Sequence, residues 1–433
     1  MLALFARYDD ATRELLASLA TAGVAVTPVV LQYDGELPDG ALSPFVNYTG
    51  LELTGRPLFF NEVPVPPWSE IRQGREPHAE IRRGGDVIGR IVYEGSSFRQ
   101  VASVEWLLPD GAVARIEHYD RYGNRYATTH HAGGVPYQTL YAGPGEWRIE
   151  VDHVSRIVTM RSSGGLLTFA TLADFVSHFL DSHGLAGDAV LINSLSHPLF
   201  VMRKRAAAPN TTLFWQEPMP GDVPGNMVAE LERPRALARL VFDDERLLRK
   251  VAAAYPTTPV ELVYLSQLGQ FAPKPAYEPR RAFTLTNTDE LPWLVEILES
   301  LPDVTISVAA LTLMSEKLHA LGRRYPNLTL IPGITQKGIA DELARASVYL
   351  DLNAGQEVLD VVKAAYHLDL VVLAPAPHAK APDHSLTFPT PAALVATLSA
   401  VVTSPGERRR ALEALHTKRG PLSTPDDYRR LFS

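Results

Sequence analysis

The tightest constraint on this chain lies between Ala282 and Ala374, where short apolar runs alternate with segments of helical spacing. The runs fall at Ala282 to Thr286, Val304 to Ala309, Leu328 to Pro332, Ser347 to Asn353 and Leu370 to Ala374. Between them, Leu291 to Leu301, Ser315 to Tyr325, Gly338 to Ala346 and Val358 to His367 read as helices. Strands alternating with helices predict a parallel, doubly wound sheet. In such a sheet ligands bind beyond the carboxyl ends of the strands. The loop Asn353-Ala354-Gly355-Gln356-Glu357 stands at one of those ends, so Asn353, Gln356 and Glu357 are candidate ligand-binding residues.

A chain of 433 residues needs more than this one core, because single cores stop growing beyond roughly 250 to 300 residues. The first stretch is a second α/β unit. Leu2 to Phe5 reads as a strand, Ala11 to Ala22 as a helix carrying Leu15, Leu16 and Leu19 and closed by Gly23, and Val24 to Leu31 as the next strand. The turn after the first strand, Ala6-Arg7-Tyr8-Asp9-Asp10, has no glycine to admit a phosphate and carries two carboxylates that repel one. The α/β pattern resumes at Leu172 to His183, followed by Ala189 to Asn193, Leu213 to Pro218, Arg239 to Asp243 and Val260 to Tyr264.

Between these halves the period changes. Asn61 to Trp68 is stiffened by Pro64, Pro66 and Pro67. Alternating runs then follow from Val87 to Phe169, separated by turn signals such as Pro109-Asp110-Gly111, Tyr122-Gly123-Asn124, Gly133-Gly134 and Gly143-Pro144-Gly145. This pattern predicts an antiparallel β-meander. The resulting division is a Rossmann-like domain from residues 1–50 and 171–270, an inserted β-sheet domain at 51–170, a second Rossmann-like domain at 271–405 and a helical tail at 406–433 that crosses back to the first domain. Gln267 to Pro279, with three prolines, reads as the linker.

Several side chains invite a functional reading beside a structural one. A strand ending in Trp215-Gln216-Glu217 and stopped by Pro218 aims polar groups at its carboxyl end, and Asn226 stands at the next helix start. Either Trp215, Gln216, Glu217 and Asn226 line an interdomain cleft, or Trp215 is core and Asn226 only a cap. In the meander, Tyr93, Trp106, Tyr119 and Tyr122 either face a peptide or another subunit or pack against the body of the protein. His130-His131 beside two glycines reads as a turn, because neighbours on a strand point to opposite faces and make no metal site. The formal charge of −8, without a basic stripe, excludes a nucleic-acid grip built on counterion release. Zero cysteines exclude thiolate catalysis and zinc-thiolate sites. No metal, cofactor or catalytic residue is assigned.

Two Rossmann-like domains facing across a cleft form the GT-B architecture of many nucleotide-sugar glycosyltransferases. More specifically, Asn61-Glu62-Val63-Pro64, Pro67-Trp68-Ser69-Glu70-Ile71, Glu117-His118-Tyr119-Asp120-Arg121-Tyr122-Gly123, Asn193-Ser194-Leu195-Ser196, Phe214 to Pro218, Pro224-Gly225-Asn226-Met227 and Tyr349 to Asn353 resemble the motifs of the GtfB-type glycosylation chaperones of the bacterial accessory Sec system. The likeness runs in order through nearly the whole chain. It implies a GT-B-like pseudoenzyme that stabilises a homologous catalytic subunit, in a hetero-oligomer of two copies of each. That subunit transfers N-acetylglucosamine from UDP-GlcNAc to serine-rich repeat adhesins. The resemblance also implies help in binding the acceptor polypeptide, pairing through the meander, and a cytoplasmic location with any membrane attachment made peripherally through partners.

Active retaining enzymes similar to this chain hold the donor diphosphate with an Arg and a Lys after the first strand of the second domain. Here that place reads Leu285-Thr286-Asn287-Thr288-Asp289-Glu290, with no cation and two carboxylates. Matching the next key helix by its Ala364 puts Lys363 where the resemblance calls for a ribose-binding glutamate, and lysine accepts no hydrogen bond. Two alternatives stay open at this level: an active UDP-sugar-dependent GT-B transferase with a relocated donor site, and a noncatalytic transport component of accessory Sec export.

Overall fold

A computed structural model describes every residue except 74–77, 95–96, 143–146, 186, 188, 206–208, 270, 272–275 and 433. The Gly143-Pro144-Gly145 turn and the middle of the Gln267 to Pro279 linker therefore lie outside the described residues. The chain divides into two compact units: residues 1–243, 247–265 and 428–433 form the first, and 244–246 with 266–427 the second.

The first unit opens with β1 (Leu2–Phe5), helix α1 (Asp10–Ala22) and β2 (Thr27–Val30). Asp9 caps α1 by accepting the Thr12 backbone N–H at 2.9 Å, and Gly23 ends it with φ 73°, a conformation that favours glycine. The short helix α2 (Pro44–Thr49) follows β2. Ten strands come next: β3 (Ser69–Gln73), β4 (His78–Arg83), β5 (Asp86–Glu94), β6 (Ser97–Leu107), β7 (Val113–Tyr119), β8 (Arg125–Ala132), β9 (Val135–Ala142), β10 (Trp147–Asp152), β11 (Val158–Ser162) and β12 (Gly165–Phe169). They form one antiparallel sheet in strict sequence order. After it come α3 (Leu172–Ser182), β13 (Val190–Ile192), α4 (His197–Arg205), β14 (Thr211–Trp215), β15 (Leu237–Phe242) and β16 (Glu261–Tyr264). The parallel sheet has the order β16-β15-β14-β13-β1-β2.

The meander is anchored to this α/β body by a shared core. Val30, Tyr33, Phe45 and Phe175 from the body pack with Tyr126, Ile149, Val158 and Met160 from the sheet. A polar latch lies beside it. The buried Asp120 carboxylate accepts the backbone N–H groups of Tyr122 (2.9 Å) and Asn124 (2.8 Å), the Asn124 side-chain amide and the Tyr33 hydroxyl (3.3 Å). Gly123 sits at φ 87°, where a Cβ would stand 2.5 Å from the Arg56 carbonyl, so this turn requires glycine. The motif Glu117 to Gly123 thus joins the sheet to the segment that follows β2.

The second unit contains β17 (Glu278–Leu285), β18 (Thr305–Ala310), β19 (Leu328–Pro332), β20 (Ala346–Leu350), β21 (Val371–Pro375) and β22 (Leu386–Phe388), parallel and ordered β19-β18-β17-β20-β21-β22. Its core residues Ala282, Val308, Val348 and Leu373 are buried, in keeping with helices on both faces. The last residues return to the first unit, where Tyr428 is buried with its ring 6.3 Å from that of Phe214.

Two local readings need correction. His130 and His131 lie within β8 rather than in a turn, because the Gly133-Gly134 turn comes later and the two histidines still pair with β9. Asn226 is not the cap of helix Gly225–Glu232; Pro224 holds that position, and the Asn226 amide instead donates to the Leu195 carbonyl at 3.3 Å. Among the described residues no helix is long and apolar enough to cross a membrane.

Candidate functional site

Each parallel sheet has one place where strand order reverses, and ligands of doubly wound sheets bind outside the carboxyl ends of the strands there. In the second unit this place lies between β17 and β20. Its two loops are tied together. The single Thr286 hydroxyl proton is shared between Asn353 Oδ1 at 3.0 Å and the Thr288 carbonyl at 2.8 Å, Gly355 N–H donates to Asn353 Oδ1 at 3.0 Å, and Asn353 Nδ2 donates to the Gln356 carbonyl at 2.7 Å. The Ala354 N–H reaches the Glu290 carbonyl at 3.2 Å. Asn353 is 2% exposed, so its polar groups are spent inside the loop.

The charges at this point are acidic. Burial pushes the Asp351 carboxyl up to about 6, against the pull of the Lys380 backbone N–H at 2.8 Å and the Lys380 ammonium. Burial also raises Glu357, whose carboxylate accepts the Val362 N–H at 3.2 Å. Lys380 was invisible to sequence reasoning, because it stands far along the chain from Asp351 and reaches it only through the fold. Its charge is already engaged by both carboxylates. Gln356 is exposed, and Lys363 is half-buried on the helix Val361–His367.

In the first unit the reversal lies between β1 and β13. Asn193, just past β13, donates from Nδ2 to Thr12 Oγ1 at 2.8 Å, and Gln216, just past β14, donates from Nε2 to the Ala11 carbonyl at 2.9 Å. Their oxygens, Asn193 Oδ1 and Gln216 Oε1, are buried without a hydrogen-bond partner among the described residues. Trp215 is 3% exposed and belongs to the apolar core, which corrects its reading as a cleft residue: on a strand buried on both faces its ring packs inward. Glu217 and Asn226 are exposed. In the meander, Tyr93 and Trp106 are 6% and 9% exposed and pack in the sheet's own core, so their rings are used within this chain rather than presented to a second subunit. Tyr119 and Tyr122 are half-buried.

Beside the β1/β13 reversal lies a cavity of about 780 Å³, with the meander as its floor. Arg7 and His197 enter it from the carboxyl ends of β1 and β13, and Gln32 and Asp34 from the end of β2. Phe45, Tyr126 and Tyr141 form aromatic wall, and His118, Thr129, Thr139 and His153 a polar floor on the sheet. Sequence reasoning missed these floor residues. The Gly133-Gly134 turn signal was a usable clue only in part: counting pairs outward from it puts Thr129 opposite Gln138, and the irregularity between His130 and His131 shifts the register by one to bring Thr129 opposite Thr139. Among the described residues no cluster of His, Asp and Glu is arranged to hold a metal ion.

Two doubly wound sheets, an inserted antiparallel sheet, and a strand-order reversal closed on itself where a donor nucleotide is expected together define a GT-B-like protein. Four domain profiles match it in chain order: the GtfB N-terminal domain at residues 2–48, the GtfB middle domain at 69–170, the GtfB third domain at 172–253 and the GftB/GlyA-F C-terminal domain at 282–413. The UDP-N-acetylglucosamine–peptide N-acetylglucosaminyltransferase stabilizing protein GtfB of Streptococcus pneumoniae serotype 4 is 32% identical over 427 residues, covering 95% of this chain and 94% of its own. A chain in the crystal structure of a GtfA/B complex bound to UDP and GlcNAc superposes with a TM-score of 0.91 at 29% identity, covering 100% of this chain and 99% of its own. The pneumococcal O-GlcNAc transferase GtfA in complex with UDP and GlcNAc shares the fold, with a TM-score of 0.57 at 11% identity and 100% and 98% coverage. This chain belongs to the GtfB family of transferase-stabilizing proteins.

Proposed function

We propose that this chain is a catalytically inactive GT-B subunit that stabilises a homologous O-GlcNAc transferase and helps hold a serine-rich acceptor polypeptide for O-glycosylation. The observation that carries the reading is the closed β17/β20 reversal. A UDP-sugar needs cations or free N–H groups at its diphosphate. Here the loop after β17 offers Thr286 and Asn287, its hydroxyl is bonded to Asn353, it carries Asp289 and Glu290 itself, and the facing loop adds Asp351, Glu357 and an engaged Lys380. The name of the pneumococcal relative supports the stabilising role. Exposed Glu217 and Asn226 suit an extended polypeptide whose backbone N–H groups need acceptors. The working assembly on this reading is a heterotetramer in the cytoplasm, with no cofactor of its own.

The test is to incubate the purified chain with UDP-GlcNAc and a serine-rich peptide, alone and after co-expression with the transferase subunit. The expected result is no turnover and no measurable UDP-GlcNAc binding alone, with soluble and active transferase in the co-expressed sample. Turnover by the chain free of partner overturns the inactive reading. Unchanged transferase solubility with and without the chain overturns the stabilising one.

A further inference from the structure

The floor of the cavity in the first unit is a continuous hydrogen-bond chain across four segments of the meander. His118 Nε2 lies 2.9 Å from Thr129 Oγ1, Thr129 Oγ1 lies 2.9 Å from Thr139 Oγ1, and Thr139 Oγ1 lies 2.8 Å from His153 Nε2. β7, β8, β9 and the turn after β10 each contribute one member. Three hydrogen bonds require three protons, and the two hydroxyls supply only two. The third sits on one Nε2, so the neutral chain holds one histidine as the Nε2–H tautomer and the other as the Nδ1–H tautomer. One added proton fits, because the donor imidazole can carry both N–H groups. A second does not: with both Nε2 atoms donating inward, four protons compete for three bonds. One threonine hydroxyl then turns its proton out of the chain, into the cavity, where it needs an acceptor.

We propose that this cavity is a binding site for a small molecule with an apolar body and an anionic head, a carboxylate or a phosphate, which accepts the hydroxyl freed when both His118 and His153 are protonated. The volume lies within the range of ordinary small-molecule sites. The aromatic wall fits the apolar body, and the surrounding charge fits the head. The Arg7 guanidinium donates to Gln32 at 2.9 Å and makes no other hydrogen bond among the described residues, while Arg156 has no ion pair there; Lys204 is paired with Asp174. Of the facing acids, Asp152 is occupied by the N–H groups of Val154 and Ser155, both at 2.8 Å, and burial raises Asp34. The facing tyrosines, Tyr33, Tyr126 and Tyr141, are all pushed up by burial and stay neutral. His131 adds a further imidazole near both ends of the chain, and His197 one beside Arg7. Burial lowers His118 and His153, so both are neutral in the empty cavity near pH 7, and an anion that favours their charged forms binds better as pH falls.

This site is separate from acceptor binding and stands or falls without it. Its test uses the full chain with ¹⁵N-labelled histidine. Imidazole spectra at pH 7.5 should report opposite tautomers for His118 and His153, and the same tautomer at both overturns the chain. Benzenesulfonate, charged at every pH used, should bind more tightly at pH 5.5 than at pH 7.5, approaching about tenfold per pH unit for each proton taken up. Thr129→Val, a shape-conserving change within β8, should let the two histidines titrate independently and shrink that gain; Arg7→Gln, at an exposed side chain, should weaken the sulfonate at both pH values. Benzoate and phenyl phosphate run side by side distinguish the two head groups. A sulfonate affinity flat with pH, or benzamide or N-acetylglucosamine binding as tightly as the sulfonate, overturns the proposal.

Discussion

The two strand-order reversals differ in what their loops do with an asparagine. At β17/β20, Asn353 makes three hydrogen bonds and draws Thr286, Gly355 and Gln356 into one closed turn. At β1/β13, Asn193 makes one, to Thr12, and its Oδ1 has no partner among the described residues. The topology is of one kind in both sheets, and general experience with such sheets marks both places as ligand sites. The side chains decide otherwise. A loop whose polar atoms satisfy one another has little left for a ligand, whereas the loops at β1/β13 are held more loosely and stand beside a cavity that Arg7 and His197 enter. A fold locates a site, and the hydrogen-bond inventory of the loop says whether the site is open.

The contrast breaks most visibly at Asn353. Asn353→Ala removes three hydrogen bonds at a buried position and leaves the Gly355 N–H without its acceptor. At about 1 kcal/mol for each net bond, the expected loss is about 3 kcal/mol. Hydrogen exchange should rise in the second unit and stay unchanged in the first. A loss below about 1 kcal/mol would mean the loop is not held by this residue.

Asp351 gives the next largest effect, and of opposite sign. Its folded carboxyl titrates near 6, above the roughly 3.9 of an unfolded aspartate, so the folded chain binds that proton more tightly. The burden on stability is absent below about pH 4, grows as pH rises through 6 and is constant above. Asp351→Asn keeps an oxygen for the Lys380 N–H and should therefore stabilise the protein by at most about 3 kcal/mol at pH 7.5, and by nothing near pH 4. Denaturant melts at the two pH values measure it. An equal effect at both would show that charge burial is not the cause.

The sequence carried the second sheet well because its strands are uniformly apolar and its helices regular; β22, with only Leu386 to Phe388, is too short to show a period. Strand β3 was missed for another reason. Ser69-Glu70-Ile71-Arg72-Gln73 is mostly polar, because it lies at the sheet's edge with little to bury. The loop at Asn353 was legible as a place, and the missing cations after Leu285 as a loss. The partner that closes it, Thr286, was not, since a threonine in a loop has no pattern. The cavity was hidden more completely. Its floor joins His118 to His153 through two threonines on separate strands, and only the pairing register brings them into line.

The smallest predicted effect tests the comparison at its other end. If Asn193 is held by one bond, Asn193→Ala should cost about 1 kcal/mol, a third of the Asn353 value, and should lie within the first unit. Thr12 retains a partner in the Arg7 carbonyl at 2.8 Å, so no buried donor is left stranded by the change. The unpartnered Oδ1 contributes nothing to be lost, and removing a buried acceptor that had no donor offsets part of the cost. The loss should therefore fall short of 1 kcal/mol rather than exceed it. A loss as large as that of Asn353→Ala would mean that Asn193 Oδ1 is bonded in solution, and the two reversals would then be equally closed.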